Sequence, residues 1–239
     1  MRKWIVAAAA LLAVADGVAD EGAPDARDVS LHAAFQMTDG NSDTRGFQLG
    51  YRGNRKADSS EWITLADFAY GESEGDKNVE NAKASAQYNW LFGGRAYVHM
   101  KAEAGYDEIA DVDYRVIIGP PGIGYHLLQD EETELALELS FAWLWEEVGG
   151  VSHDAPVIRL TERFQHKVSE TAKVWQSLEV LPEADDFDSY LLVGEVGLEA
   201  MLNAHLSLIL KLRNTYDSTP ADGKEENDVA VYAGLGINL

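Results

Sequence analysis

The sequence has no cysteine, which excludes disulfides, thiolate metal sites and nucleophilic cysteine chemistry. It is poor in positive charge: 19 Lys and Arg stand against 41 Asp and Glu, a formal net charge of −22. Phosphate recognition needs a positive surface, so nucleic acid is not expected as a partner. Beyond the N-terminus no apolar run approaches the ~20 residues of a membrane helix. Helical periodicity is hard to find anywhere. There is no G-x-S-x-G elbow and no EF-hand spacing, and an enzyme is not expected. A disordered acidic chain does not fit either, because 46% of the residues are hydrophobic and 10% aromatic.

What is present begins with an export signal. Arg2 and Lys3 precede an apolar stretch over 4–14, followed by the small-residue sites Ala13-Val14-Ala15 and Gly17-Val18-Ala19. This pattern predicts a signal peptide over 1–19, too short to span a membrane, with cleavage after Ala19. Removal of Arg2, Lys3 and Asp16 leaves 17 basic against 40 acidic residues. A linker over 20–27 and one β-barrel domain over 28–239 complete the expected organisation.

Period-two alternation recurs through the mature chain. The last eleven residues show it best. Val229, Val231, Ala233, Leu235, Ile237 and Leu239 share one face; Ala230, Tyr232, Gly234, Gly236 and Asn238 share the other. Twelve strands are predicted, at 29–38, 45–53, 61–71, 80–92, 94–106, 113–127, 132–147, 155–167, 171–181, 189–201, 204–216 and 228–239. Many reach the ~9–11 residues of a tilted membrane strand, beyond the ~5–6 usual in globular sheets. The connections at 53–60, 93–94, 129–132, 168–170 and Asn203 are mostly tight. Those at 39–43, 71–78, 107–111, 148–154, 182–188 and 218–227 are longer and mostly acidic. An even strand number with alternating short turns and long loops predicts an all-β, antiparallel up-and-down transmembrane barrel, exported to the outer membrane of a Gram-negative-type envelope.

Tyr51, Phe68, Tyr70, Tyr88, Trp90, Trp143 and Trp145 fall near strand ends on the outward parity, where aromatic girdles sit. Three features strain this reading. Gly119-Pro120-Pro121-Gly122 interrupts the sixth strand, and Arg115 and Glu162 take the lipid-facing parity.

Thr38-Asp39-Gly40-Asn41-Ser42-Asp43-Thr44 resembles the T-x-G-N-[ST]-[DE]-T hairpin of the salt-induced outer membrane proteins, a family also described as domain of unknown function 481. Ile123-Gly124-Tyr125 is similar to its G-x-G-Y strand. Trp175-Gln176-Ser177-Leu178-Glu179, Tyr190-Leu191-Leu192 and Tyr216-Asp217-Ser218-Thr219-Pro220 are similar to its C-terminal half. The resemblance spans 28–239 and implies an outer-membrane β-barrel without a known activity. Leu239 stands in place of the usual terminal aromatic, while Tyr232, Gly234, Ile237 and Leu239 match a looser signal for the barrel-assembly machinery.

The inward parity places Lys83, Lys101, Arg159, Arg163, Lys173, Lys211 and Arg213 in the lumen against Glu103, Glu134, Glu138, Glu179, Glu195 and Glu199. Such a balance predicts ion pairs that fill the pore, whereas selective channels carry rings of one sign. Centring one hairpin on Asn203 sets Glu195 opposite Lys211; centring another on Ser169 sets Arg159 opposite Glu179. His32, His99 and His126 share the inward parity with Ser30, Ser85, Ser140, Ser177 and Ser207, as any polar lumen would show by chance. Outside, Asp107, Glu108, Asp111 and Asp113, with Asp185, Asp186 and Asp188, are the candidates for weakly held Ca²⁺ or Mg²⁺; no other cofactor is expected. The expected partners are outer-membrane lipid and, during biogenesis, the assembly machinery. The sequence therefore predicts a plugged or narrow structural or stress-related envelope barrel. The alternatives are a channel for small solutes or ions and a soluble periplasmic binding barrel.

Overall fold

The computed structural model describes residues 26–38 and 44–238, and these form thirteen strands and no helix. They are β1 (Ala26–Thr38), β2 (Thr44–Lys56), β3 (Ser60–Ser73), β4 (Asp76–Leu91), β5 (Ala96–Asp107), β6 (Val112–Ile118), β7 (Gly122–Gln129), β8 (Thr133–Val148), β9 (Val151–Ser169), β10 (Ala172–Pro182), β11 (Tyr190–Met201), β12 (Leu206–Asp217) and β13 (Asn227–Asn238). Each strand pairs antiparallel with its neighbours, and β13 returns to pair with β1. The sheet is thus a closed barrel. The closing seam runs from Ser30 opposite Asn238 to Ala33 opposite Leu235. The predicted signal peptide, residues 20–25 of the predicted linker over 20–27 and the family residues Gly40, Asn41 and Asp43 lie outside the described residues, and the last two linker residues open β1.

Thirteen strands make twelve staves, because β6 and β7 both lie between β5 and β8. The break falls at the Gly119-Pro120-Pro121-Gly122 segment that interrupts the predicted sixth strand. Ile118 faces Ala102 and Gly122 faces His99, so three residues, 119–121, oppose two on β5. Proline has no N–H for a ladder, and a bulge is where a closed sheet can accept it. Gly119 is required there for space: a Cβ would stand 2.0 Å from the Phe141 carbonyl oxygen.

One extra residue reverses the facing of everything beyond it. Ile117 is buried inside and Ile123 exposed outside, although both are odd-numbered. This corrects the parity assigned to Arg115. Its side chain points into the lumen, where it meets Glu146 and Asp217. Glu162 does stay outside; its carboxylate accepts a hydrogen bond from Gln176 at 3.1 Å. Gln176 lies beside Phe164, towards the end that carries the chain termini, so Glu162 leans along the wall towards that rim.

The outer surface is apolar around the barrel. On β8, Leu137, Leu139, Phe141, Trp143 and Trp145 are exposed, while the intervening Ala136, Glu138, Ser140 and Ala142 are buried. Trp62, Tyr88 and Trp90 stack edge to face near the terminus-bearing end, and Phe47, Phe68 and Tyr70 cluster towards the opposite end. An apolar belt of this extent is stable only against another apolar phase.

The expected contrast between long loops and short turns is only partly present. Glu74 and Gly75, and likewise Gly149 and Gly150, form two-residue turns. All four have positive φ, at 54°, 87°, 58° and 74°. Two residues of that conformation match the twist of a hairpin, so the strands continue to the turn and shorten the predicted loops.

Deleting Pro121 should remove the extra residue and force Arg115 towards lipid. The expected outcome is loss of the folded, heat-modifiable band in cold SDS gels. A folded band of normal yield would show that the bulge does not set the facing.

Candidate functional site

The lumen concentrates the charge of the barrel wall, and its side chains are arranged in tiers. In the middle tier, Glu103 bridges Lys83 at 2.8 Å and Lys101 at 3.4 Å. Lys101 reaches Glu179 at 2.5 Å, and Glu179 lies 3.5 Å from Arg159. The signs alternate along this row, so each charge is flanked by its opposite. Across the lumen, Glu195 lies 3.5 Å from both Arg52 and Lys211. Lys211 also meets Asp67 at 3.4 Å, and Asp67 meets His32 at 3.3 Å.

Nearer the termini, Glu138 accepts hydrogen bonds from Arg163 at 2.5 Å and from Gln87 and the Tyr97 hydroxyl, each at 2.7 Å. Asn89 and Asn54 donate to the two oxygens of Glu61. Lys173 and Glu199 pair at 2.9 Å close to the terminus-bearing mouth. At the opposite end Arg115 donates to Glu146 at 2.5 Å and to Asp217 at 2.7 Å, beside an apolar cluster of Ile117, Ala142, Val157 and Leu181.

These groups leave little room for solvent. Arg159 is 2% exposed, and His99 and Asn89 are each 1% exposed. Side chains that line a water-filled pore touch water, so these lie in packed interior. A cavity of about 40 Å³ lies between Gln48, Arg52, Trp175, Lys173, Glu199 and Tyr232. That is room for a few water molecules. Buried charges hold only when paired, because the interior solvates them poorly.

The geometry brings Glu195 to Lys211 and Arg159 to Glu179, but neither pair is directly opposed, and both registers differ from the predicted ones. Glu195 faces Arg213, and Glu179 faces Thr161. The turn after β11 spans 202–205, and its Asn203 carboxamide accepts the N–H groups of His205 and Leu206. Centring it on one residue therefore misplaces the partners by two. The other shift arises because Ala172 faces Ser169, which centres the turn on Glu170 and Thr171 beyond Ser169; the bulge between Ala172 and Lys173 only partly offsets it. The inward set also includes Arg52, Arg115, Glu61, Asp67, Glu146 and Asp217, absent from the parity list. Each sits on an alternating strand, so alternation carried the signal; Arg115 alone was hidden by the bulge.

The acidic loop residues do not converge. Among the described residues, no group of three or more His, Asp or Glu side chains is placed to hold a metal ion. Asp107 accepts the N–H groups of Ile109 and Ala110, and Asp186 accepts that of Asp188. Glu108 accepts a hydrogen bond from Lys77, which holds its carboxyl below the usual range. Asp111 supplies its carbonyl oxygen to Gly149. Asp113, Asp185 and Asp188 belong to the same rim. Of the family-motif residues, Trp175 donates to Glu195 under the Arg52 guanidinium. Tyr216 stacks on Tyr190, and Ser218 accepts the Tyr190 N–H. Asp217 ends β12, and Pro220 belongs to the β12–β13 connection.

A family model described as "Protein of unknown function, DUF481" matches residues 31–239. The chain belongs to this family. No curated protein matches the sequence. Among solved structures, the NanC porin aligns with a TM-score of 0.56 at 7% identity, over 89% of this chain and 100% of that one. The translocator domain of the autotransporter NalP from Neisseria meningitidis aligns at 0.49 and 12% identity, over 99% and 96% of the two chains. The KdgM porin aligns at 0.48 and 9% identity, over 90% and 99%. The likeness to NanC shows a porin-type barrel fold, as the alternation of the sequence predicts.

Two tests follow from this geometry. Glu179→Leu should leave Lys101 and Arg159 without their shared carboxylate. Losing one partner of a buried pair costs about 3–5 kcal/mol; urea unfolding in lipid vesicles should show a drop of that order, and an unchanged midpoint would remove the row from the list of stabilising contacts. The second concerns Asp130, whose carboxyl is lowered by the N–H groups of Glu132 and Thr133. A lowered acid contributes stability at neutral pH that is lost as pH falls through its folded-state value. Amide protection at Thr133 should therefore fall on acidification in the wild type and be low at every pH in Asp130→Ala.

Proposed function

We propose that the protein is an outer-membrane β-barrel with a filled lumen, a structural component of the envelope and not a general diffusion pore. The observation that carries this reading is the burial of paired charges across the middle of the lumen, with Arg159 at 2% exposure. The apolar outer belt and the porin-type fold support insertion in a membrane. The predicted signal peptide supports export, and the terminus-bearing end is then periplasmic.

A second reading, a narrow path for ions or small solutes, is favoured by the cavity beside Arg52 and Trp175. The two differ in conductance. Purified protein in a planar bilayer should show no steps in the nanosiemens range, and heat-modifiable mobility in the outer-membrane fraction should show that the same preparation is folded. Large steps from folded protein would overturn the filled lumen; a protein recovered in the soluble periplasm would overturn the membrane assignment.

A further inference from the structure

The connection between β12 and β13 does more than join two neighbours. Its base is closed by the Asp217 N–H donating to the Glu226 carbonyl, at 2.8 Å. Between them the chain makes a compact loop, with Lys224 N–H on the Ala221 carbonyl and Gly223 at a φ of 78°. Numbered round the barrel, this loop stands between the eleventh and twelfth staves. Its contacts lie on the far side. The Lys224 ammonium donates to the Ile109 carbonyl at 2.7 Å, between the fifth and sixth staves. Ala221 is buried against the β8–β9 turn, where a Cβ on Gly149 would stand 3.3 Å from its own. Gly149 in turn donates to Asp111, which ties the receiving turns together. The loop therefore crosses the mouth and is latched to the opposite wall.

Beneath it lies a chamber unlike the rest of the lumen. Its apolar sides are Ile117, Leu144, Val157, Leu181 and Leu191; its cation is Arg115, and its carboxylates are Glu146 and Asp217, both on Arg115, and Glu183, which is held by Ser189 and His153. With the loop down, the chamber is collapsed to about 20 Å³, near the volume that one water needs. Asp217, which pairs with Arg115, is also the hinge residue of the loop: its carboxylate accepts the Thr219 N–H. Asp217 itself stays in the β12 ladder opposite Leu191, but lifting the loop removes the Thr219 N–H and hydroxyl that hold its carboxylate, which frees it to turn from the guanidinium and leave Glu146 as the partner. A planar guanidinium binds two carboxylates well, and an incoming anion can take the place of the one withdrawn.

We propose that residues 218–226 form a lid over an outer vestibule that takes a molecule with an apolar body and one anionic group, the anion on Arg115 and the body against the aliphatic wall. This goes beyond the filled-lumen reading and uses the packed middle tier only as the floor. The test reads side-chain access, so it stands or falls separately from conductance.

The absence of cysteine allows a single reporter, Leu191→Cys, on the chamber wall. With the native lid, a membrane-impermeant maleimide applied to folded protein in nanodiscs should label it slowly. Lys224→Ala with Ala221→Asp removes the latch and sets a carboxylate against Asp111; labelling should rise at least tenfold. Lys224→Ala alone, a rim change, should give a smaller rise in the same direction and serves if the double variant does not give a heat-modifiable band. Octanoate should then slow labelling of the opened variant, and octyltrimethylammonium should not. Equal rates with latched and unlatched loops would overturn the lid. Equal protection by both amphiphiles, or by neither, would overturn the anion site.

Discussion

Everything in this barrel follows from one constraint on its backbone. In hydrocarbon an unpaired N–H or C=O has no water to turn to, so the sheet must close on itself. Closure fixes the faces: alternate residues look outward for the whole length of every stave. Lipid then admits only apolar side chains on one face, and the chain's charged wall residues are driven to the other. The paired charges of the lumen are the consequence. Ten or more ionic groups confined in a narrow cylinder must neutralise one another locally, and the alternating row from Lys83 to Arg159 is how they do so.

The two ends of the cylinder differ in kind. Towards the termini the interior is mainly polar, held by Glu138 and Glu61 with their amide and phenol donors. Towards the other end it turns aliphatic around Ile117 and Val157, with a single guanidinium at the edge. Large aromatics inside lie over positions without side chains: the Trp175 ring occupies the space where a Cβ of Gly197 would be, and Tyr97 does the same at Gly124. This lets bulky groups fill the bore without widening it, a form of packing that interleaves large and absent side chains.

Most of this was legible in the sequence, because period two is a direct record of facing. The strands, their number, the apolar belt and the family could all be read from alternation and from motifs spaced along the chain, and the acids and bases of the lumen followed by parity. Three things could not. The facing of Arg115 depended on a bulge whose extra residue cannot be counted before the partner strands are seen. The hairpin registers depended on side-chain capping by Asn203 and on a turn at Glu170 and Thr171 that a bulge at Ala172 partly offsets. The crossing of the mouth depended on where a nine-residue loop, 218–226, comes to rest, which local patterning does not encode.

The seam has a mechanical meaning. Thirteen residue pairs join β1 to β2, yet among the described residues four join β1 to β13. A ring loaded evenly yields at its shortest clasp. These two strands are also the most distant in the chain, so their contact closes the longest loop and rewards the chain last. The joint that completes the barrel is therefore also the one along which the wall would part under strain.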